Sequence, residues 1–257
     1  MEINQANLTR EILSNKTWEI YHNAYFGKIE HMQELYSLFE KAKPILPNEI
    51  TIADLGSASG DLGELFKKKL SKNHKVKLYI IEIIKELLDK NKNKDTIKIY
   101  EDLRNFKENE IFDLAIMRSI LHYFPKDEQL NVLKNVCNSL KNEGYLIIQT
   151  FIQKQSDLEL FNKLNHYVKR NLQLLNKEDL IELFKKSGFS NIKNIGKIST
   201  WNLSSKDFQA RYELTNEQIN HLRSVVEKTN QENRKGFTLT KDRFTIPVPY
   251  QVFLLRK

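Results

Sequence analysis

From ITIADLG (50–56) onward the chain alternates short, nearly continuous apolar runs with stretches of helical period. ITIADLG reads as a buried strand, DLGELFKKKL (61–70) as a helix and VKLYIIE (76–82) as the next strand. IKELLDKNK (84–92) reads as helical, TIKIYED (96–102) as a third strand and IFDLAIMRS (111–119) as a fourth. DEQLNVLKNVCNSLK (127–141) predicts an amphipathic helix stopped by Gly144, and YLIIQTF (145–151) a fifth strand. Strands alternating with helices predict crossover units and a mostly parallel sheet. Apolar runs without a polar face agree, because such strands are covered on both sides.

Three helical segments interrupt or flank this pattern. Residues 8–43 predict two helices with Gly27 between them and Pro44 after them. Residues 155–186 predict two more, of which NKEDLIELFKKSGF is capped and ends at Gly188. Residues 204–234 are helical again and separate NIKNIGKIST (191–200) from FTIPVPYQVFLLR (244–256), which read as the last pair of strands. Pro247 and Pro249 fit only the start of that final strand or an edge.

Composition narrows the classes open to such a chain. Its 257 residues, 40% of them hydrophobic, suffice for one α/β domain with appendages. No apolar run reaches roughly 18 residues, so no membrane span is expected. MEINQANLTR lacks the apolar region of a secretory signal. The single cysteine, Cys137, excludes an intrachain disulfide framework and fits a reducing, cytoplasmic setting. The absence of a His/Cys cluster speaks against structural zinc. The net charge of +8 comes mostly from lysines spread along the whole chain. The densest run, KKKLSKNHK (67–75), lies where a helix ends, and cations are favoured there in any protein. A solvated face is therefore the simpler reading, and nucleic acid is not the expected partner.

The chemistry concentrates at TIADLGSASGDLG (51–63). In an open parallel sheet, ligands bind beyond the carboxyl ends of the strands, and small residues in the first turn let main-chain N–H groups approach them. Glu82 ends the second strand, where an acid can accept from ribose hydroxyls. Asp102 ends the third, where an acid can accept from an adenine amino group or simply cap a helix. The dinucleotide fingerprint G-x-G-x-x-G fits only with Ala58 in the place of its first glycine and with Asp61 beside the pyrophosphate. No G-x-x-x-x-G-K-[ST] loop is present. Asp54 before the turn suits a ligand with a cationic end better than a diphosphate.

These residues resemble the class I S-adenosylmethionine-dependent methyltransferases. ADLGSASGDL resembles the family's first motif, IIEIIKELL the second, YEDLRNF the third, and FDLAIMRSILHYF the fourth strand with its turn. LKNVCNSLKNEGYLIIQT and ELFKKSGFSNIKNIG resemble the helix, glycine and strand units that follow. The resemblance spans roughly residues 50–200, with PYQVFLLRK as a seventh strand. It implies a Rossmann-like α/β sheet of order 3-2-1-4-5-7-6 with strand 7 antiparallel, in one domain over 1–257. It also implies that 8–43, 155–175 and 204–234 form helical lids over a small-molecule substrate. S-adenosylmethionine is then the cofactor, held by Asp54, Gly56, Ser57, Gly60, Glu82, Ile83, Asp102, Leu103, Met117 and Tyr25. The family commonly has glycine where Ala58 stands, and alanine is compatible if its φ is negative.

His122 in SILHYF is the candidate base, or a ring packed beneath the cofactor. Arg118 either binds a substrate carboxylate or pairs with Asp113. Tyr21, Tyr25 and Phe26 either cover the cofactor or pack a helix; Trp18, Phe151, Tyr167 and Trp201 are pocket walls or core. His31, His166 and His221 read as surface or structural groups. An RNA or protein methyltransferase, and a cyclase or binding protein that transfers no methyl, share the same core and stand as alternatives.

Overall fold

The computed structural model describes residues 26–153, 155–168, 173–197, 200–229 and 236–257. Trp18, Tyr21 and Tyr25 lie outside the described residues, as does the first helix expected within 8–43. In chain order the elements begin with α1 (Ile29–Lys41), β1 (Glu49–Leu55), α2 (Asp61–Leu70), β2 (Lys75–Glu82), α3 (Lys85–Leu88) and β3 (Thr96–Tyr100). Next come β4 (Phe112–Arg118), a 3₁₀ turn (Leu121–Tyr123), α4 (Lys126–Ser139), β5 (Leu140–Phe151), α5 (Gln155–Tyr167) and α6 (Lys177–Lys186). The chain ends with β6 (Asn191–Gly196), β7 (Trp201–Ser204), α7 (Ser205–Tyr212), α8 (Asn216–Glu227), β8 (Thr238–Leu239), β9 (Phe244–Val248) and β10 (Tyr250–Arg256).

Seven strands form one sheet in the order β3-β2-β1-β4-β5-β10-β6. The first five pair in parallel, and β10 runs antiparallel between β5 and β6. This is the expected order, with β10 in the seventh place. Side-chain alternation sends Ile52, Leu114, Ile116 and Ile147 to one face, where they meet α1 and α2. It sends Leu55, Ala115, Met117 and Ile148 to the other, where they meet α4 and α6. Both faces are covered, which accounts for the unbroken apolar runs.

Local differences from the expected elements have physical causes. The fifth strand begins at Leu140, immediately after α4 ends at Ser139, and its pairing with β4 slips between Phe112 and Leu114. Gly144 therefore sits inside an irregular strand rather than behind a helix. A Cβ there would lie 2.9 Å from the Lys141 carbonyl and 3.1 Å from that of Phe112, so the close backbone approach is what requires glycine. Gly188 does follow α6, in the left-handed region at φ 103°. The helix expected over 84–92 is a single turn, α3.

A third apolar cluster lies apart from the two faces of the main sheet. Leu160 and Leu164 of α5, Phe208 of α7 and Leu222 of α8 pack with Trp201, Phe244 and Ile246. The last three belong to a small antiparallel sheet, β7-β9-β8. The segment 244–256 is thus two strands broken at Pro249, one in each sheet. Pro247 lies within β9 opposite Asn202, and β8 pairs only with Thr245 and Phe244, so no ladder bond is lost on that side.

Candidate active site

Strand β1 turns into α2 through a tight, partly left-handed loop. The Gly56 and Ser57 N–H groups donate to the Ile81 carbonyl at 2.8 and 3.1 Å, and Gly60 N–H donates to the Ser57 carbonyl at 2.8 Å. Gly56 has φ 64°, and a Cβ on it would lie 2.7 Å from Ile120 Cδ1. Glycine is required there for conformation and for space. Gly63 packs α2 onto β1, because a Cβ would lie 2.9 Å from that of Asp54. Ala58 has φ 51°, so it does not keep the negative φ that would suit an alanine. The reason is a contact: in this conformation its N–H donates to Glu82 Oε2 at 3.0 Å.

The two acids at the strand tips are buried. Asp54 is 3% exposed and accepts from Gly63 N–H at 2.8 Å. Burial pushes its carboxyl up to about 7, against the lowering effect of that hydrogen bond and of the Arg118 guanidinium. The carboxylates of Glu82 and Asp61 push in the same direction as burial. Glu82 is raised by burial too, although its oxygens accept from Ala58, Ile83 and Ile84 N–H groups. Asp102 lies beyond the end of β3 and is gripped by Arg104, whose Nε is 3.0 and 2.9 Å from the two carboxylate oxygens. That pair raises the Arg104 guanidinium further above its ordinary value.

These groups line one cavity at the carboxyl ends of the strands. Asp54, Gly56, Ser57 and Ala58 form one wall, and Glu82 and Ile83 form the next. Asp102, Leu103 and Arg104 close the far side, with Arg118, Ser119 and Ile120 opposite. Of the residues expected here, Gly60 and Met117 are placed elsewhere. Gly60 is the left-handed N-cap of α2, against Ile80 and Asn91, and Met117 is fully buried within the sheet. Tyr25 lies outside the described residues. Arg118 does not pair with Asp113, which binds Lys141 at 2.9 Å and Thr51 N–H at 2.8 Å. Its guanidinium donates to the Phe26 carbonyl and lies 5.8 Å from the centre of the Phe26 ring.

His122 does not line this cavity but a second one, which shares Phe26, Ser119, Tyr123 and Arg211 with the first. Its ring is 4.5 Å from that of Tyr123 and 4.8 Å from that of Phe151. Phe151 and Trp201 are walls of the second cavity, whereas Tyr167 stacks on His221 at 4.7 Å. His31 lies 3.9 Å from Glu34 on the same helix. Arg104 and Ile120 lie within YEDLRNF and FDLAIMRSILHYF without being singled out there, and Arg211 lies in no motif. Arg211 comes from α7, far along the chain, so only the folded topology brings it to the site.

The first cavity fits a ligand with a cationic end and a nucleoside, on its own geometry. Two buried acids, Asp54 and Glu82, at adjacent strand tips disfavour a diphosphate, and Ser57 Oγ is buried without a hydrogen-bond partner among the described residues. Residues 28–194 match the family model of a methyltransferase domain. No curated protein matches the chain. Among solved structures, the YcgJ protein from Bacillus subtilis superposes with a TM-score of 0.70 at 14% identity, covering 88% of this chain and 98% of that one. A SAM-dependent methyltransferase from Thermotoga maritima does so at 0.53 and 18%, covering 94% and 98%. The Haemonchus contortus phosphoethanolamine N-methyltransferase 2, in complex with S-adenosylhomocysteine, gives 0.54 and 14%, covering 88% of this chain and 52% of that one. At such identities the likeness is one of fold.

Proposed function

The chain belongs to the methyltransferase-domain family, and from that premise we propose that it moves a methyl group from S-adenosylmethionine to a small organic molecule. The observation that carries this reading is the convergence of Asp54, Glu82 and Asp102 on one cavity around the Gly56–Ala58 turn. Ionised Asp54 holds the ammonium of the amino-acid end. Glu82 keeps lone pairs for the ribose hydroxyls beside its three N–H partners, and Asp102 with Leu103 meets the base. When bound, the cofactor supplies a methyl group made electrophilic by a sulfonium. The remaining task of this chain is to align an acceptor, exclude water and take up a proton where the acceptor carries one.

The division of labour follows the two cavities. The first holds the cofactor, and the second, with His122 in its wall, holds the acceptor. His122 receives the acceptor proton on an imidazole nitrogen. The domain is a single unit over 1–257, in which 155–175 and 204–234 enclose the acceptor, while 8–43 reaches the cavities through Phe26 and Met32 and its helix α1 packs on a face of the sheet. Among the described residues no helix is long and apolar enough to cross a membrane, and we place the protein in the cytoplasm.

Calorimetry with S-adenosylmethionine and S-adenosylhomocysteine on the purified chain tests the cofactor assignment. Asp54→Asn is expected to weaken both at least tenfold. Methyl-labelled cofactor is then incubated with a metabolite extract and, separately, with total RNA. Label in small organic products supports the reading; label in RNA, or no cofactor binding, overturns it.

A further inference from the structure

Helix α4 holds the far wall of the first cavity by one of its faces. Glu128, Asn131 and Asn135 are three and four residues apart, so they share a side of the helix. All three reach the short turn that follows β3. Asn135 Nδ2 donates to the carbonyls of Leu103 and Arg104 at 3.1 and 2.9 Å. Asn131 Nδ2 donates to the same Arg104 carbonyl at 3.3 Å. Glu128 Oε2 accepts from Arg104 Nη1 at 3.5 Å. Leu103 and Phe106 are buried in the core cluster that also contains Val132, Leu133 and Val136 of α4. The turn is thus pinned by its carbonyls and by its apolar side chains at once.

What this turn presents to the cavity is Asp102. The Arg104 main-chain N–H donates to Oδ1 at 2.9 Å, Nε is shared between the two oxygens at 3.0 and 2.9 Å, and Nη2 donates to Oδ2. A planar guanidinium on a planar carboxylate fixes the plane of that carboxylate as well as its place. An ionised carboxylate accepts about four hydrogen bonds, so after these N–H groups about one acceptor position is left for a ligand. Asn135, by contrast, is not among the residues that line either cavity, so it reaches a ligand only through the turn.

A held carboxylate and a mobile one read the edge of a purine differently. Adenine carries an amino donor at C6 and an acceptor at N1, whereas hypoxanthine carries a carbonyl at C6 and a donor at N1. A carboxylate fixed opposite the amino group meets the hypoxanthine carbonyl acceptor against acceptor. A carboxylate free to shift by one ring position accepts from N1–H instead, and the discrimination is lost.

We propose that Arg104 and Asn135 are positioning residues that fix the Asp102 carboxylate, and that this fixation makes the site take a 6-amino purine and reject its 6-oxo counterpart. Arg104 sets the plane of the carboxylate, and Asn135 sets the turn that carries it against α4. The inference rests on the cofactor reading, in which Asp102 meets the base.

Calorimetry on the full chain with S-adenosylhomocysteine and S-inosylhomocysteine tests it. The wild type is expected to prefer the adenosyl compound roughly tenfold or more. Arg104→Met deletes the fork and keeps most of the stem, and Asn135→Leu deletes two carbonyl bonds without touching the cavity. The preference should fall about threefold or more in each. A purely structural role would instead weaken both ligands equally; that result overturns the proposal, as does an unchanged preference in either variant that still melts cooperatively. Asn135→Leu bares two carbonyls, so Arg104→Met, whose side chain is 28% exposed, decides the matter where the other variant does not fold. A wild type that binds S-adenosylhomocysteine but takes the inosyl compound as well or better overturns the proposal and leaves the cofactor reading standing. A wild type that binds neither refutes that reading, and this inference with it.

Discussion

The main-chain N–H of Ala58 donates to Oε2 of Glu82 at 3.0 Å from a left-handed backbone, φ 51°. One hydrogen bond thus ties the glycine-rich turn to the tip of the next strand, and an alanine adopts a conformation that favours glycine. Ala58→Gly removes the Cβ strain but loosens the unfolded chain. The balance is expected to be a stabilisation of about 0.5–1 kcal/mol, roughly 1–4 °C in melting temperature for a chain of this size. Thermal unfolding measures it, and a lower melting temperature contradicts the account. Cofactor affinity should stay within about twofold, because the same N–H remains.

Gly56 is constrained in two ways that a pair of substitutions separates. A Cβ at this position would lie 2.7 and 2.8 Å from Ile120 Cδ1 and Cγ2, and φ is 64°. Gly56→Ala is expected to destabilise by about 1–3 kcal/mol and to weaken cofactor binding. Adding Ile120→Ala removes the clash and leaves the conformational cost. Part of the lost stability should therefore return, and full recovery would show that the left-handed backbone carries no cost.

Asp54 gives a pH dependence of defined sign. Its folded value is raised from 3.8 to about 7, first by burial, against Gly63 N–H and Arg118 and with Glu82 and Asp61. The folded state therefore binds more protons than the unfolded one between these values. Its contribution to stability is present below about 4 and is lost as pH rises toward about 7. Asp54→Asn should flatten the fall in melting temperature over that window. Binding of the cofactor ammonium needs the ionised carboxylate, so affinity should strengthen from pH 6 to 8 in the wild type and much less in the variant. Calorimetry at several pH values decides it.

The core was legible because its strands are long apolar runs that end in an acid. β1 and β2 announce Asp54 and Glu82 by sequence alone, and alternation with helices predicts a mostly parallel sheet, whose order came from the family resemblance. The second cavity was legible only in part: Phe26, Phe151, Trp201 and His122 stood as candidate pocket groups, and FTIPV read as the start of one final strand. WNLS and TL become strands only by pairing with that segment in a sheet of their own. Arg211 sits among ordinary helical residues, and nothing local marks it as buried beside Tyr123. The conformation of Ala58 was left open for a similar reason. The bond that holds it comes from Glu82, on another strand, so no local rule contains it.

Arg118 is the opposite charge that most lowers Asp54, and it anchors the Phe26 carbonyl. Replacing it by methionine keeps most of the aliphatic stem and deletes the charge. The Asp54 carboxyl should then rise further above about 7, and the pH at which cofactor affinity develops should move upward with it. An unchanged pH profile would mean that Asp54 does not report on cofactor binding.

His122 distinguishes a base from a packed ring. It is 5% exposed, lies between Tyr123 and Phe151, and faces the second cavity. Phenylalanine conserves most of its shape, so His122→Phe should keep the melting temperature within about 2 °C and S-adenosylhomocysteine affinity within about twofold. If the imidazole takes the proton of the acceptor, turnover of the substrate found by labelling should fall about 10²–10⁴-fold, with little change in the KM for the cofactor. If the ring only packs, turnover should survive the exchange, and the proton must then leave without a side chain of this cavity. His122→Ala is the less informative variant, because it opens a void between two rings and mixes lost chemistry with lost packing.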